Sequence, residues 1–295
     1  MKKRHFQQKL IISLLTLVLM MSCDSKKKMN VQGHRGCRGL MPENSLAAFE
    51  KGIDLGVETL ELDIVISKDG KVVVSHEPYM NPVICLSSEG TVIPDSSEGA
   101  YNLYKMNYDE IKTFDCGTKF HPIYPNQEKF KTYKPLISEV FDLVKTKKSN
   151  VKFNIEIKSD PSYYDIFTPQ PEAYVALILE EINKHDMLSR INLQSFDIAI
   201  LEEVKVQARK IPLALLVEDD EIINEKLNLL SFQPEIISPY FKLLSEASIS
   251  NYQKEGFQVI PWTVNTETDM KQMIAWNVDG IITDYPNVLI KILKL

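Results

Sequence analysis

The sequence is short of positive charge, of cysteine and of apolar runs long enough to cross a bilayer. Lys and Arg number 34 against 40 Asp and Glu, a formal charge of −6. Removal of residues 1–22 would take away four cations (Lys2, Lys3, Arg4 and Lys9) and no acid, leaving −10. A chain this acidic has no basic footprint for nucleic acid, so no nucleic-acid partner is expected. The four cysteines stand at 23, 37, 85 and 116, with no zinc-like spacing. The charge-free apolar run 10–21 is shorter than the roughly 20 residues a spanning helix needs. No internal repeat and no low-complexity tract is present.

That apolar run follows a positive flank and ends in Met20-Met21-Ser22-Cys23. Together these read as an export signal over residues 1–22. A small residue before a cysteine resembles the lipobox of bacterial lipoproteins, in which the thiol is diacylated; Met20 stands where Leu is usual. The expectation is a chain lipidated at Cys23, with 23–29 as a polar tether. It would be exported and held on a membrane, facing the periplasm or the cell surface. Three cysteines then remain, and one disulfide is open to them. Cys85 and Cys116 lie in one segment and pair most readily.

What is present from residue 30 to 295 is an alternation. Short apolar runs at 31–34, 59–66, 152–158, 190–194, 212–217, 235–238, 258–264 and 280–283 read as strands. Amphipathic stretches at 45–55, 138–147, 172–185, 197–208, 221–230, 245–255, 267–276 and 287–295 read as helices. Eight strands, each followed by a helix, predict an α/β fold of the (β/α)8 TIM-barrel type in a single domain. Asn44, Ser138, Asp197 and Ser245 are expected N-caps, and Gly256 suits a helix exit. Residues 71–75 are expected to pair back on 65–67 across Lys68-Asp69-Gly70. An insertion follows the second strand at about 78–134. It is rich in Pro, Ser, Tyr and Gly, and only 107–114 looks helical. Such a segment in a barrel usually builds a lid or pocket wall.

Two strands carry a pattern that a parallel barrel strand normally lacks. In 58–67, Glu61 and Asp63 are two apart and share one side, while Leu60, Leu62 and Ile64 share the other. In 151–158, Asn154, Glu156 and Lys158 share a side opposite Phe153, Ile155 and Ile157. Parallel strands usually read as continuous apolar runs, so an alternating polar face is informative. Carboxylates turned into a barrel repel each other and lose hydration, and a cation resolves both. Glu61, Asp63 and Glu156 therefore form a candidate three-carboxylate metal site. All-oxygen donors suit one divalent hard cation, Ca2+ or Mg2+, rather than Zn2+. His34 ends the first strand and His76 follows the hairpin, both where barrels place their active sites. They are candidates for proton exchange in both directions. Arg35 and Lys158 could meet an anionic substrate, Arg35 through paired hydrogen bonds to phosphate.

These residues fall in motifs: His34-Arg35-Gly36, Pro42-Glu43-Asn44, Glu61-Leu62-Asp63, Ser75-His76 and Glu156-Ile157-Lys158, then Gln194-Ser195-Phe196, Trp262-Thr263-Val264-Asn265 and Gly280-Ile281-Ile282-Thr283-Asp284-Tyr285-Pro286. The ordered set, covering nearly the whole chain from Val31, resembles the glycerophosphodiester phosphodiesterase family. The resemblance implies a metal-dependent phosphoric diester hydrolase. It would release glycerol 3-phosphate and an alcohol, using His34 and His76 as acid and base. It implies Glu61, Asp63 and Glu156 as metal ligands, and Arg35 and Lys158 on the phosphate. Glu43 would belong to the site's polar network, Gln194 and Phe196 would line the cavity, and Trp262 would pack against the glycerol. Asp284 is read as structural. The family commonly has Asp after the second histidine; Glu77 stands there, a longer acid that can still orient His76. Two other readings keep the same barrel: a lysophospholipase D-type phosphodiesterase acting on intact lysolipids, and a non-catalytic lipoprotein that captures phosphate esters.

Overall fold

The computed structural model describes residues 28–97 and 99–294. The export signal, Cys23 and most of the tether lie outside the described residues. Nine strands follow in chain order: β1 (Asn30–Gly33), β2 (Thr59–Ile66), β3 (Val72–Val74), β4 (Lys152–Ile157), β5 (Ile191–Ser195), β6 (Leu213–Val217), β7 (Ile236–Pro239), β8 (Gln258–Val259) and β9 (Gly280–Thr283). All but β3 are parallel, in the order β8-β7-β6-β5-β4-β2-β1-β9. The β8/β9 seam closes through backbone bonds, Asp279 N–H to Val259 O at 2.9 Å and Ile282 N–H to Pro261 O at 3.0 Å. The result is the (β/α)8 barrel that the alternation predicts. As expected, β3 folds back antiparallel on β2, with Val65 opposite Val73.

The helices are α1 (Leu46–Leu55), α2 (Tyr108–Ile111), α3 (Ile137–Thr146), α4 (Pro171–Lys184), α5 (Ile198–Gln207), α6 (Ile223–Leu227), α7 (Glu246–Lys254), α8 (Glu267–Ala275) and α9 (Pro286–Leu293). All except α2 pack outside the barrel. Their apolar stripes meet the outward side chains of the strands, among them Leu60, Leu62, Ile64, Phe153 and Ile155. Phe49, Phe141, Phe153 and Tyr174 are fully buried there, each worth about 1.5–3 kcal/mol of burial.

Two expected caps are corrected. Ser45, not Asn44, caps α1, its Oγ accepting from Ala48 N–H at 3.1 Å. Asn44 adopts φ 54° and turns its amide to Asp63 instead. Helix α3 starts before Ser138, with the Glu139 carboxylate accepting from Leu136 N–H at 2.9 Å. Asp197 and Ser245 cap as expected. The strand expected over 258–264 is regular only at 258–259, because Pro261 lacks an N–H for the ladder.

Residues 78–134 stand between β3 and α3 and carry a second, smaller core of their own. Met80, Ile93, Leu103, Ile111 and Phe114 pack against Val65 and Val73. The Cys85–Cys116 disulfide ties this segment together, and Cys37 is free and buried. Among the described residues, no helix is long and apolar enough to cross a membrane.

Candidate active site

Strand β2 turns Glu61 and Asp63 into the barrel, and parallel register sets Glu156 of β4 beside Asp63. One carboxylate oxygen from each of the three lies within 4.8 Å of the others, and all three residues are buried. Each is held by its surroundings. Glu61 accepts from the Arg35 backbone N–H at 2.8 Å and from Gln194 Nε2 at 3.1 Å. Asp63 Oδ2 accepts from Asn44 Nδ2 at 2.8 Å and lies 3.3 Å from Arg35 Nε. Glu156 Oε1 accepts from Lys158 Nζ at 2.6 Å. Beneath Glu61 runs a buried amide chain, in which Asn154 Nδ2 donates to Gln32 at 2.9 Å and to Gln194 at 3.0 Å.

The electrostatics of this trio are unfinished. Burial, then repulsion from Asp63 and Glu156, holds the Glu61 carboxyl well above the usual carboxylate range. Burial pushes Glu156 up to about 7 against the pull of Lys158. Burial also raises Asp63, but Arg35, His76 and Lys158 outweigh it and keep its pKa low. Asp63 Oδ1 is buried with no hydrogen-bond partner at all. A buried like-charged trio of oxygen donors with one orphaned oxygen fits a hard divalent cation, and these three residues could hold one.

Two imidazoles flank the trio. His34 follows β1; its Nδ1 lies 2.6 Å from Asp284 Oδ1, and its Nε2 lies 4.0 Å from Glu61 Oε2. His76 follows β3; its Nδ1 lies 2.8 Å from Glu77 Oε1. Glu77 therefore reaches the ring. Lys158 Nζ lies 3.2 Å from His76 Nε2, so the ammonium donates and the neutral ring carries its proton on Nδ1. Burial is the first cause that lowers the pKa of both histidines. Asp284 pulls His34 back up, whereas Arg35 and Lys158 push His76 further down.

Arg35 departs from the expected picture of a free phosphate fork. Its Nη1 donates to Glu43 Oε1 at 2.6 Å while Nε faces Asp63. The turn that aims it there has Arg35 at φ 49° and Gly36 at φ 87°. A Cβ on Gly36 would lie 2.6 Å from the Ala48 backbone, so only glycine lets β1 close onto α1. Burial raises Glu43, but Arg35 and Arg38 outweigh it and bring it to about 2.

His34, Arg35, Glu61, His76, Glu156, Lys158, Gln194, Phe196 and Trp262 line one cavity of about 300 Å3 at the C-terminal ends of the strands. Asp63 and Glu43 stand directly behind that wall. A larger groove, about 810 Å3, lies on the outer wall by α6 and α7 but holds none of these convergent charges.

Sequence reasoning missed three supporting residues. Asp284, read as structural, grips His34 and also accepts from Tyr124 Oη at 2.6 Å and Asn265 Nδ2 at 2.7 Å. Its place just after β9 was the available signal, the same one that marked His34. Arg38 joins the cavity with Nε 2.7 Å from Glu43 and its guanidinium 4.9 Å from the Tyr124 ring. Tyr124 itself comes from the unpatterned insertion, where nothing in the sequence singled it out.

Comparison with known proteins agrees with this arrangement. Residues 34–288 match the model of the glycerophosphoryl diester phosphodiesterase family. A glycerophosphodiester phosphodiesterase from Caldanaerobacter subterraneus subsp. tengcongensis is 30% identical over 266 residues, 90% of this chain and 97% of that protein. Among solved structures, a putative glycerophosphoryl diester phosphodiesterase from Silicibacter pomeroyi superposes with a TM-score of 0.80 at 28% identity, covering 90% of this chain and 94% of the other. A phosphodiesterase from Oleispira antarctica, solved with its product sn-glycerol-3-phosphate, shares the fold. It has a TM-score of 0.72 at 21% identity, covering 90% of this chain and 97% of the other. The chain belongs to the glycerophosphoryl diester phosphodiesterase family.

Proposed function

We propose that the chain hydrolyses glycerophosphodiesters to glycerol 3-phosphate and an alcohol, with a divalent cation held by Glu61, Asp63 and Glu156. The observation that carries this reading is one cavity in which two histidines, each held at Nδ1 by a carboxylate, flank three buried carboxylates. When bound, the cation supplies Lewis acidity, which makes a substrate hydroxyl more acidic and offsets charge on the phosphoryl oxygens.

The chain's own residues do the rest. One histidine takes the proton of the glycerol 2-hydroxyl as its oxygen attacks phosphorus. The bond from phosphorus to the alcohol oxygen breaks, and the other histidine gives that oxygen a proton. The cyclic phosphate so formed is opened by water with the two histidines in exchanged roles. Asp284 and Glu77 fix the rings so that each Nε2 faces the reacting atoms. Lys158 and Arg35 stabilise charge on the phosphoryl oxygens. Export and attachment to a membrane through Cys23 belong to the same reading.

His34→Ala and His76→Ala should each lower turnover of glycerophosphocholine by about 10²–10⁴-fold. Metal affinity should stay close to that of the parent. Near-normal turnover at saturating metal in either variant would remove that histidine from the mechanism.

A further inference from the structure

We propose that Glu218 selects the alcohol half of the substrate, favouring glycerophosphodiesters whose alcohol carries a positive charge, an ammonium or quaternary ammonium group. This rests on the phosphodiesterase reading and extends it to the group on the far side of the phosphate.

The cavity has a depth order. Its floor carries Glu61 and Glu156, at 1% and 7% exposure, with Asp63 at 1% directly behind them. The attacking 2-hydroxyl must lie near these groups, so the glycerol and phosphate take the floor. The alcohol is left pointing to the mouth. Glu218 stands there, immediately after β6, exposed and lining the same cavity. Among the described residues its carboxylate accepts no hydrogen bond and enters no ion pair; its backbone alone is engaged, the N–H donating to the Glu221 carboxylate at 2.7 Å and the carbonyl accepting from Glu221 N–H at 3.3 Å.

The other charges beside Glu218 are already matched. Lys158 and Lys226 are the cations that act on it. Lys158 is paired with Glu156 at 2.6 Å, and Lys226 with Glu221 at 2.6 Å. Both ammonium groups also sit over the Phe196 ring, at 5.6 and 5.2 Å. Glu218 is therefore an unmatched negative charge at the mouth, and the neighbouring Asp219 acts on it with the same sign. The neighbouring wall is aromatic. Trp262 is pinned by its Nε1 donating to Ser238 O at 2.8 Å and meets Phe196 edge to face. A carboxylate and an ordered indole lining the same cavity suit a cation by charge and by the ring quadrupole. A second anionic group on the alcohol would meet repulsion at the same place.

The test uses the protein with its metal and four substrates: glycerophosphocholine, glycerophosphoethanolamine, glycerophosphoglycerol and glycerophosphoserine. The parent should prefer the first two. Glu218→Gln should lower kcat/KM for those two about three- to tenfold, mainly through KM, and change glycerophosphoglycerol less than about twofold. Glu218→Lys should reverse the order, and the parent's preference should shrink as salt is raised. An equal loss on all four substrates would assign Glu218 to the glycerol instead and overturn the proposal. No change on any substrate would overturn it as well. A parent inactive on all four would strike the phosphodiesterase reading itself, a distinct outcome.

Discussion

Asp63 presents a buried oxygen to nothing, while Glu61 and Glu156 beside it are held in the protonated direction. A cation binds carboxylates, not carboxylic acids, so its binding must expel the protons these two retain. A raised carboxyl pKa means that acid competes with the metal up to higher pH. The apparent metal affinity should therefore rise as pH climbs through about 7, with at least one proton released per ion near neutrality. Calorimetric titration in buffers of different ionisation enthalpy reads that proton count. A pH-independent affinity with no buffer dependence would contradict it. Asp284 gives a second expectation at this scale. Asp284→Asn should lower kcat about 10²-fold or more, because His34 loses the carboxylate that orients it, while metal affinity stays within about twofold. Steady-state kinetics with metal titration separates the two. The trio was legible in sequence because a period of two forces Glu61 and Asp63 to one face. The Asp284–His34 pair was not, because 250 residues separate partners that only barrel closure brings together.

The insertion acts as more than a wall. Its residue Tyr124 donates to Asp284 at 2.6 Å, so a segment outside the β/α rhythm holds the carboxylate that holds His34. Tyr124→Phe removes one hydrogen bond to a charged acceptor, worth about 1.5–3 kcal/mol. Part of that loss should appear as a drop in kcat of about three- to thirtyfold, with an unchanged KM and an unchanged circular-dichroism spectrum. An unaltered kcat would mean that Asn265, which donates to the Asp284 carboxylate and accepts from the Asp284 backbone N–H, holds Asp284 without help from the insertion. The barrel strands could be read in advance because burial on both faces leaves apolar runs of recognisable length. The insertion could not, since its described residues form only short pieces, α2 and two 3-10 turns at Asp95–Ser97 and Leu103–Lys105, and a packing scheme based on Met80, Leu103 and the Cys85–Cys116 bridge. Asn44 shows the same limit on a smaller scale. Its side chain could cap a helix or serve Asp63, and the position of β2 decides which.

Across the whole molecule, charge is unevenly placed: the chain is acidic overall, yet Arg35, Arg38 and Lys158 converge on one cavity. A substrate phosphate would meet these cations inside the cavity, past Glu218 at its mouth, whereas the outer groove has no comparable cluster. The barrel supplies this by gathering β1, β2, β4, β5, β6, β8 and β9 around one point, so that residues from 34 to 282 share a wall. If catalysis requires a cation on Glu61, Asp63 and Glu156, chelation should abolish it. The protein is stripped with EDTA, and glycerol 3-phosphate release from glycerophosphocholine and glycerophosphoethanolamine is followed without metal, with Mg2+ and with Ca2+. Activity should vanish with EDTA, return with one of the two ions, and not return in Asp63→Asn. Full activity in EDTA, or full recovery of Asp63→Asn, would contradict it.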